Sequence, residues 1–397
     1  MNTQQAKHDI KAYRELIKSR PTPENIGNLG ACLFTIDEAQ QAYPLVKYAY
    51  DSDPTNLYMG INLAMVLKDL GRHEESTQVI ERVYYNHPED FYTRLAYAEA
   101  LLKAGFWTKA WPIYDNARPT QQGAAQAISV PLGVKEWQDQ VIQPGEKLLV
   151  INEGGTGDRF TYPRWLNKLT EMGIDWYFYT FDELYPIYSR IFPKERLVRD
   201  GDDIKMNYWT TAFALPARLN ATPNTIPSPL VITPDPEVRK NLVLNMPKDG
   251  IPTVGICWSA AEMFQGDRKV RSMTEGQMMR LVVSTAYRVR WVSLQYGVKA
   301  PYPVSNLPIN NWEDTIAVMD QLDGVVSVDT GVMHLAGAMR KPMSVLLSGN
   351  SCWKFLKTGE KCHFFPTAKL YRNEGYGFDN TIDRLVADIR NNIPFGR

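Results

Sequence analysis

The sequence predicts an α/β protein in which an all-helical repeat domain precedes two facing, doubly wound α/β halves. Three observations carry that prediction. A 34-residue self-similarity runs through the start of the chain. From residue 147 a strand, a glycine loop, a helix and a second strand succeed one another. The same rhythm starts again near residue 251.

On the 34-residue period three segments align. Leu29, Leu63 and Tyr97 coincide, as do Gly30, Ala64 and Ala98, and Leu33, Leu67 and Leu101. In the second half of each unit Ala42, Ser76 and Ala110 fall together, as do Ala49, Val83 and Ala117. Small residues let one helix approach the next, and large apolar ones fill the groove left by the neighbouring unit. Pro54 and Pro88 end the first two units, since proline lacks a donor and fixes φ. Gly71 and Gly105 mark the turn inside units two and three. Stacked hairpins of this kind make a short concave surface, which either packs on the chain itself or on a second copy, or holds a peptide or protein partner.

After Pro119 the segments QQGAAQA and VPLGVKEWQDQVIQPGEK read as a connector. KLLVIN is then a buried strand, EGGTG a turn, DRFTYPRWLNKLTEMG a helix ending at Gly173, and IDWYFYT a second strand. The stretch 224–250, with Pro227, Pro229, Pro234, Pro236 and Pro247, reads as a linker. Beyond it come the strand IPTVGICW, a helix near 274–286 and the strand VRWVSLQYG, then a helix from Glu313, the strand GVVSVDT, the helix GVMHLAGAMR and the strand MSVLL. The expected domains are 1–130, 131–240 and 241–397. Two such halves enclose a cleft lined by the carboxyl ends of both sheets.

Composition excludes several function classes. Of 397 residues, 44% are apolar and 22% charged, as in a globular chain and unlike a disordered one. Lysine plus arginine and aspartate plus glutamate both total 44, a neutral balance that argues against a nucleic-acid or anionic-membrane partner. No apolar run approaches the ~18 residues of a membrane span, and MNTQQAKHD lacks a signal-peptide core, so a cytoplasmic protein is expected. Cys32, Cys257, Cys352 and Cys362 form no CxxC pair and are expected as free thiols. Cys352 and Cys362 flank a loop with His363, without a second pair at metal-ligand spacing. Asp51–Asp53 lies at a repeat boundary and Asp200–Asp202 in a turn, so neither DxD is a metal site.

The candidate site rests on three motifs. In VVSVDTGVMHLAGAMRKP a strand delivers Asp329 and Thr330-Gly331 opens a helix whose first amides face an anion; Thr330 adds a hydroxyl and His334 lies on the first turn. In GICWSAAEMFQGDRKVRSM a strand ends at Trp258-Ser259, and a polar loop carries Arg268, Lys269 and Arg271, cations suited to clamp a diphosphate. EGGTGD follows the first strand. It lacks the ending of a phosphate-binding P-loop, yet sets Asp158 at a helix start facing the cleft, behind Gly155, Thr156 and Gly157. Asp158 either caps its helix or works in the cleft. Trp258, Trp312 and Trp353 are candidates to stack on a sugar or base.

The repeats, over about residues 23–120, resemble the tetratricopeptide repeat. From about 147 to 372 the chain resembles glycosyltransferase family 9, the bacterial heptosyltransferases, and among them bacterial and phage proteins that join such repeats to that domain. The matching segments are LLVINEGGTGDRF, ALPARL followed by TPNTIPSP, GICWS, the DRKVRSM loop, WVSLQYG, WEDTIAVMDQLDGVVSVDTGVMHLAGAMRKPMSVLL, and CWKF with FFPTAKLYR. The resemblance implies a GT-B fold, a nucleotide-sugar donor held mainly by the C-terminal half, and inversion at the anomeric carbon with no metal and no other cofactor. By the same resemblance Asp158 is the general base, and Asp329, Thr330, Gly331 and His334 form the donor diphosphate site. Arg271 stands against the phosphates, with Arg268 and Lys269 nearby. Trp258, Ser259, Gln295, Trp312, Asp314 and Thr315 lie near base, ribose or sugar.

An inverting transfer needs a base for the acceptor hydroxyl, and positive charge or helix amides for the leaving diphosphate. The family's acidic residue after WVSLQYG is missing here, where Gln295-Tyr296-Gly297-Val298-Lys299 stands. That leaves UDP-, GDP- and ADP-linked hexoses as open as ADP-heptose. The acceptor is expected to be a protein or a glycan, with the repeats as one place to hold it. Two other readings are a non-catalytic adaptor keeping the fold, and an enzyme glycosylating modified nucleic-acid bases.

Overall fold

The computed structural model describes residues 2–116, 134–138, 140–202, 205–247, 249–260, 271–349, 351–373, 377–392 and 395. Ala117, most of the connector after Pro119, and the loop residues Arg268 and Lys269 lie outside the described residues.

Seven helices open the chain: α1 (Thr3–Ser19), α2 (Pro23–Thr35), α3 (Ala39–Ser52), α4 (Leu57–Asp69), α5 (His73–Asn86), α6 (Phe91–Lys103) and α7 (Trp107–Asn116). Helices α2, α4 and α6 begin 34 residues apart, and so do α3, α5 and α7. The cause is local chemistry repeated at equal positions. Thr22, Asn56 and Asp90 are N-caps whose side chains accept the backbone N–H of Asn25, Met59 and Thr93. The turn inside each unit places a residue in the left-handed region at the same point: Asp37 (φ 69°), Gly71 (φ 75°) and Gly105 (φ 89°). Leu33, Leu63, Leu67, Tyr97 and Leu101 are buried between the stacked hairpins, as the period requires.

Two parallel five-stranded sheets follow. The first runs β1-β5-β2-β3-β4, from β1 (Lys135–Glu136), β2 (Lys147–Ile151), β3 (Asp175–Tyr179), β4 (Leu197–Val198) and β5 (Tyr208–Thr211). The second runs β10-β9-β8-β6-β7, from β6 (Thr253–Cys257), β7 (Arg290–Ser293), β8 (Gly324–Ser327), β9 (Met343–Leu347) and β10 (Ala368–Arg372). In each sheet the strand order reverses beside the first central strand, between β2 and β5 and between β6 and β8. Ligand crevices of doubly wound sheets open at such switch points. Strands β6, β8 and β9 are buried along their whole length, as parallel strands covered on both faces must be.

The helices around the sheets are α8 (Thr156–Thr161), α9 (Leu166–Glu171), α10 (Tyr185–Tyr188), α11 (Leu215–Arg218), α12 (Pro236–Asn241), α13 (Glu275–Thr285), α14 (Trp312–Asp320), α15 (Gly331–Ala338) and α16 (Asp379–Arg390). The single helix expected over DRFTYPRWLNKLTEMG is broken: α8 gives way to a 3-10 turn at Tyr162–Trp165 before α9 begins. Pro163 lacks the N–H that a continuous helix would use. The proline-rich stretch 224–250 is also more than a linker. It contains α12, capped by Asp235 and tied to α14 through Arg239 and Asp320 at 2.9 Å.

One buried cluster runs from the repeats through the first sheet and one face of the second. At the junction Trp353, just after β9, packs edge-on against Trp107 and Trp111 of α7, with ring centroids 5.4 and 5.8 Å away. Trp353, expected to stack on a sugar or base, is thus committed to an aromatic joint between the repeats and the second half. All four cysteines are free.

Candidate active site

The two halves meet where α8 and α15 face each other across the cleft. α8 follows β2 through Gly154, whose φ of +86° admits few side chains, and Gly155 is its N-cap. α15 follows β8 with Thr330 as N-cap. The approach is close because both helices carry glycine where they touch. A Cβ on Gly157 would lie 2.6 Å from Cδ2 of His334, and one on Gly331 would lie 3.7 Å from the backbone nitrogen of Gly157 and 2.9 Å from Cη2 of Trp312 on α14.

Asp158 sits on the first turn of α8 and does not cap it: the carboxylate Oδ1 accepts from Nζ of Lys354, 2.7 Å away, with Lys354 9% exposed at its side chain. Burial alone would depress the lysine, but Asp158, with Asp329 farther off, outweighs it and holds the ammonium above its ordinary range. Lys354 was not singled out by sequence, since its partner is distant in the chain and only the fold brings them together.

Asp329 and His334 are buried and linked, with Oδ1 and Nε2 3.4 Å apart. The other ring nitrogen, Nδ1, lies 2.6 Å from Oγ1 of Thr161 on α8. Burial, aided by the charge of Lys354, lowers the histidine below its ordinary value. Bonds from the His334 ring and the charges of Lys354 and Arg271 hold Asp329 low despite its burial. With its charge disfavoured, the ring shares one hydrogen bond with the Thr161 hydroxyl, which also reaches the carbonyl of Gly157 at 2.8 Å, and one with Asp329. His334 therefore bridges the halves. Its ring nitrogens are engaged with protein groups of both halves. Thr330 is likewise engaged, its hydroxyl 3.1 Å from that of Ser327. What α15 leaves open is its first backbone amides, at a helix start with no side-chain cap and no acidic residue in the first turn.

Around this centre Arg271 donates to the carbonyl of Asp329 at 3.4 Å. Gln295 is a clamp: its Oε1 accepts from the amides of Trp258 and Ser259 at 3.2 and 2.9 Å, and its Nε2 donates to the carbonyl of Ser259 at 3.0 Å. Trp312 lines the cleft beside Gly331, edge-on to Phe160 of α8. Thr315 reaches the cleft wall while its hydroxyl donates back to the carbonyl of Asn311. Two expected residues are turned elsewhere. Trp258 is 5% exposed and belongs to the core between the second sheet, α13 and α16. Strand parity explains this: Val254, Ile256 and Trp258 alternate onto the core face, while Cys257 and Ser259 border the cleft. Asp314 accepts the backbone N–H of Asn310 at 2.8 Å and so fastens the start of α14. A neighbour that the sequence did not suggest, Glu313, forms a two-pronged ion pair with Arg190 from the other half, at 2.7 and 2.8 Å.

The cleft measures 2040 Å³, against ~300–1000 Å³ for typical small-ligand pockets. Its far wall is the repeat region: Phe34, Met65, Asp69 and Glu99 line the same space as Asp158, Gly331 and Arg271. Among the described residues no group of three His, Cys, Asp or Glu side chains stands together as a metal-ligand set, and no helix is long and apolar enough to cross a membrane.

Comparison with known proteins bears on this geometry. Residues 293–355, from the end of β7 through Phe355, match glycosyltransferase family 9 (heptosyltransferase). Protein FlbA of Caulobacter vibrioides (strain ATCC 19089 / CIP 103742 / CB 15) is 24% identical over 405 residues, covering 92% of this chain. The chain spans 65% of the length of that curated relative. Among solved structures, MamA MSR-1 C2 aligns with 28% of this chain and 66% of its own at 19% identity and a TM-score of 0.26. MamA 41-end from Desulfovibrio magneticus RS-1 aligns with 29% and 67% at 15% identity and a TM-score of 0.27. Structural likeness at that level says nothing of function.

Proposed function

We propose that this chain, a helical-repeat region joined to a glycosyltransferase family 9 domain, moves a sugar from a nucleotide-sugar donor to a hydroxyl of a protein or glycan acceptor, with inversion and without a metal. The carrying observation is the opposition of Asp158 and the uncapped start of α15 across one cleft. The acceptor oxygen attacks the anomeric carbon as Asp158 takes its proton. The bond to the nucleoside diphosphate breaks, and the diphosphate leaves with the electron pair toward the first amides of α15 and Arg271. Asp329 and His334 act behind that surface by fixing the α8–α15 approach. The spare volume beside Phe34, Met65 and Glu99 supports an acceptor lodged against the repeats, larger than a monosaccharide.

The test is a thermal-shift panel of ADP, UDP, GDP and CDP and their sugar conjugates, with and without EDTA. A ligand at 100 times its Kd adds ~2.7 kcal/mol, a shift of several degrees. Selective stabilisation by one nucleotide, unchanged by EDTA, is the expected result and names the donor class. No shift with any of them favours the adaptor.

A further inference from the structure

We infer that Lys354 is the positioning residue of Asp158, and that the third repeat is part of the site because it holds the segment that carries Lys354. The inference rests on the reading of Asp158 as base. Three observations on that segment converge. Its carbonyls at Ser351 and Gly349 accept from Nζ of Lys103, at the end of α6, at 2.9 and 3.4 Å. Trp353 is caged by Trp107 and Trp111 of α7. The next residue, Lys354, reaches back across the cleft to Asp158 at 2.7 Å.

Chemistry gives the arrangement its purpose. A base on a six-residue helix has few contacts to fix its rotamer, and Gly154 beneath it contributes none. A buried ammonium on one carboxylate oxygen sets the orientation and leaves the other, Oδ2, near Gly154 with room to accept a proton; a Cβ on Gly154 would come within 3.2 Å of it. Lys354 in turn is held in place, because the segment that precedes it is pinned by Lys103 and the tryptophan cage. The repeats thereby belong to the transfer machinery as a wall, independent of anything they bind.

The experiment offers UDP-glucose, GDP-mannose, ADP-glucose and CDP-glucose to the full chain and follows release of the nucleoside diphosphate. Lys354→Met is expected to lower kcat by about 100-fold with KM unchanged, as a misplaced base should. Lys354→Arg restores most of that loss. The double variant with Asp158→Asn is expected to be no slower than Asp158→Asn alone, because one residue acts through the other. Lys103→Met, which leaves both partners in place, lowers kcat by about tenfold. Additive losses, or a raised KM with kcat intact, overturn the inference and move Lys354 to the diphosphate. Turnover at near the parent rate in Asp158→Asn is a different result, which sinks the base and not the pairing.

A spectrum of the ¹⁵N-lysine-labelled chain decides the matter where none of the four sugars is released or Lys354→Met does not fold. The Lys354 ammonium signal, assigned by its loss in Lys354→Arg, is expected to move in both Asp158→Asn and Lys103→Met. An unmoved signal in Lys103→Met removes the repeats from the site.

Discussion

Helices α8 and α15 start at the carboxyl ends of central strands in their respective sheets, and their first turns differ in charge. The first turn of α8 carries Asp158, so its own chain already presents a negative group to the helix start. The first turn of α15 has no acidic residue and no side-chain cap, and its amides are available to a foreign anion. The same supersecondary unit thus presents a carboxylate on one wall and uncapped helix amides on the other. The difference lies in single residues and not in the fold, which is why fold alone does not tell the roles of the two halves apart.

Exchanging or filling these helix starts breaks the comparison. The largest effect is expected from Asp158→Asn, which should lower transfer by about 1,000-fold or more while nucleoside diphosphate stabilisation persists. The same change leaves the buried Lys354 without its carboxylate, at about 1–3 kcal/mol of stability in a thermal melt. If the variant both turns over and melts like the parent, α8 has no special charge role. Gly331→Val fills the open start of α15 and meets Trp312, so the nucleotide-induced shift should vanish at a stability cost of about 1–3 kcal/mol. An undiminished shift would place the diphosphate elsewhere. Arg271→Met should weaken the stabilising nucleoside diphosphate about tenfold in calorimetry, less than the loss of the helix amides.

The smallest effect concerns the bridge between the two helices. His334 is held below its ordinary value of 6.5, so as pH falls the unfolded chain takes up that proton first. Stability is expected to decline from about pH 6.5 downward, until the folded ring protonates in turn. His73, pushed down to about 4 mainly by burial in the repeats, adds a decline of the same sign. Melting temperatures between pH 7 and 5 should therefore slope less in His334→Gln than in the parent. Equal slopes would mean that folding leaves the ring's titration unshifted, and a steeper slope in the variant that the folded ring is charged.

The repeats were legible in the sequence because their determinants are local and recur: a cap at Thr22, Asn56 and Asp90 and a turn residue near Asp37, Gly71 and Gly105 lie within a few residues of what they fix. The two helix starts were legible for the same reason, as strand, glycine and helix follow one another without a gap. For Trp258 the position at a strand end points to the cleft, while the alternation with Val254 and Ile256, a signal the sequence contains, points to the core and prevails. Lys354 and the Arg190–Glu313 pair were not legible. Each depends on chain segments brought together by sheet topology, and a lone lysine or arginine carries no period that points to its partner.

The tryptophan cage also bears on the order in which the chain assembles. Each repeat helix contacts its neighbours in sequence, a low-contact-order arrangement that forms quickly and early during synthesis. Trp111 then waits for Ala221 of the first half, and both indoles for the segment bearing Trp353, made far later in the chain. The helical stack is the surface that receives the segment between β9 and β10, and until it is covered that pair of indoles is what a chaperone would have most reason to shield.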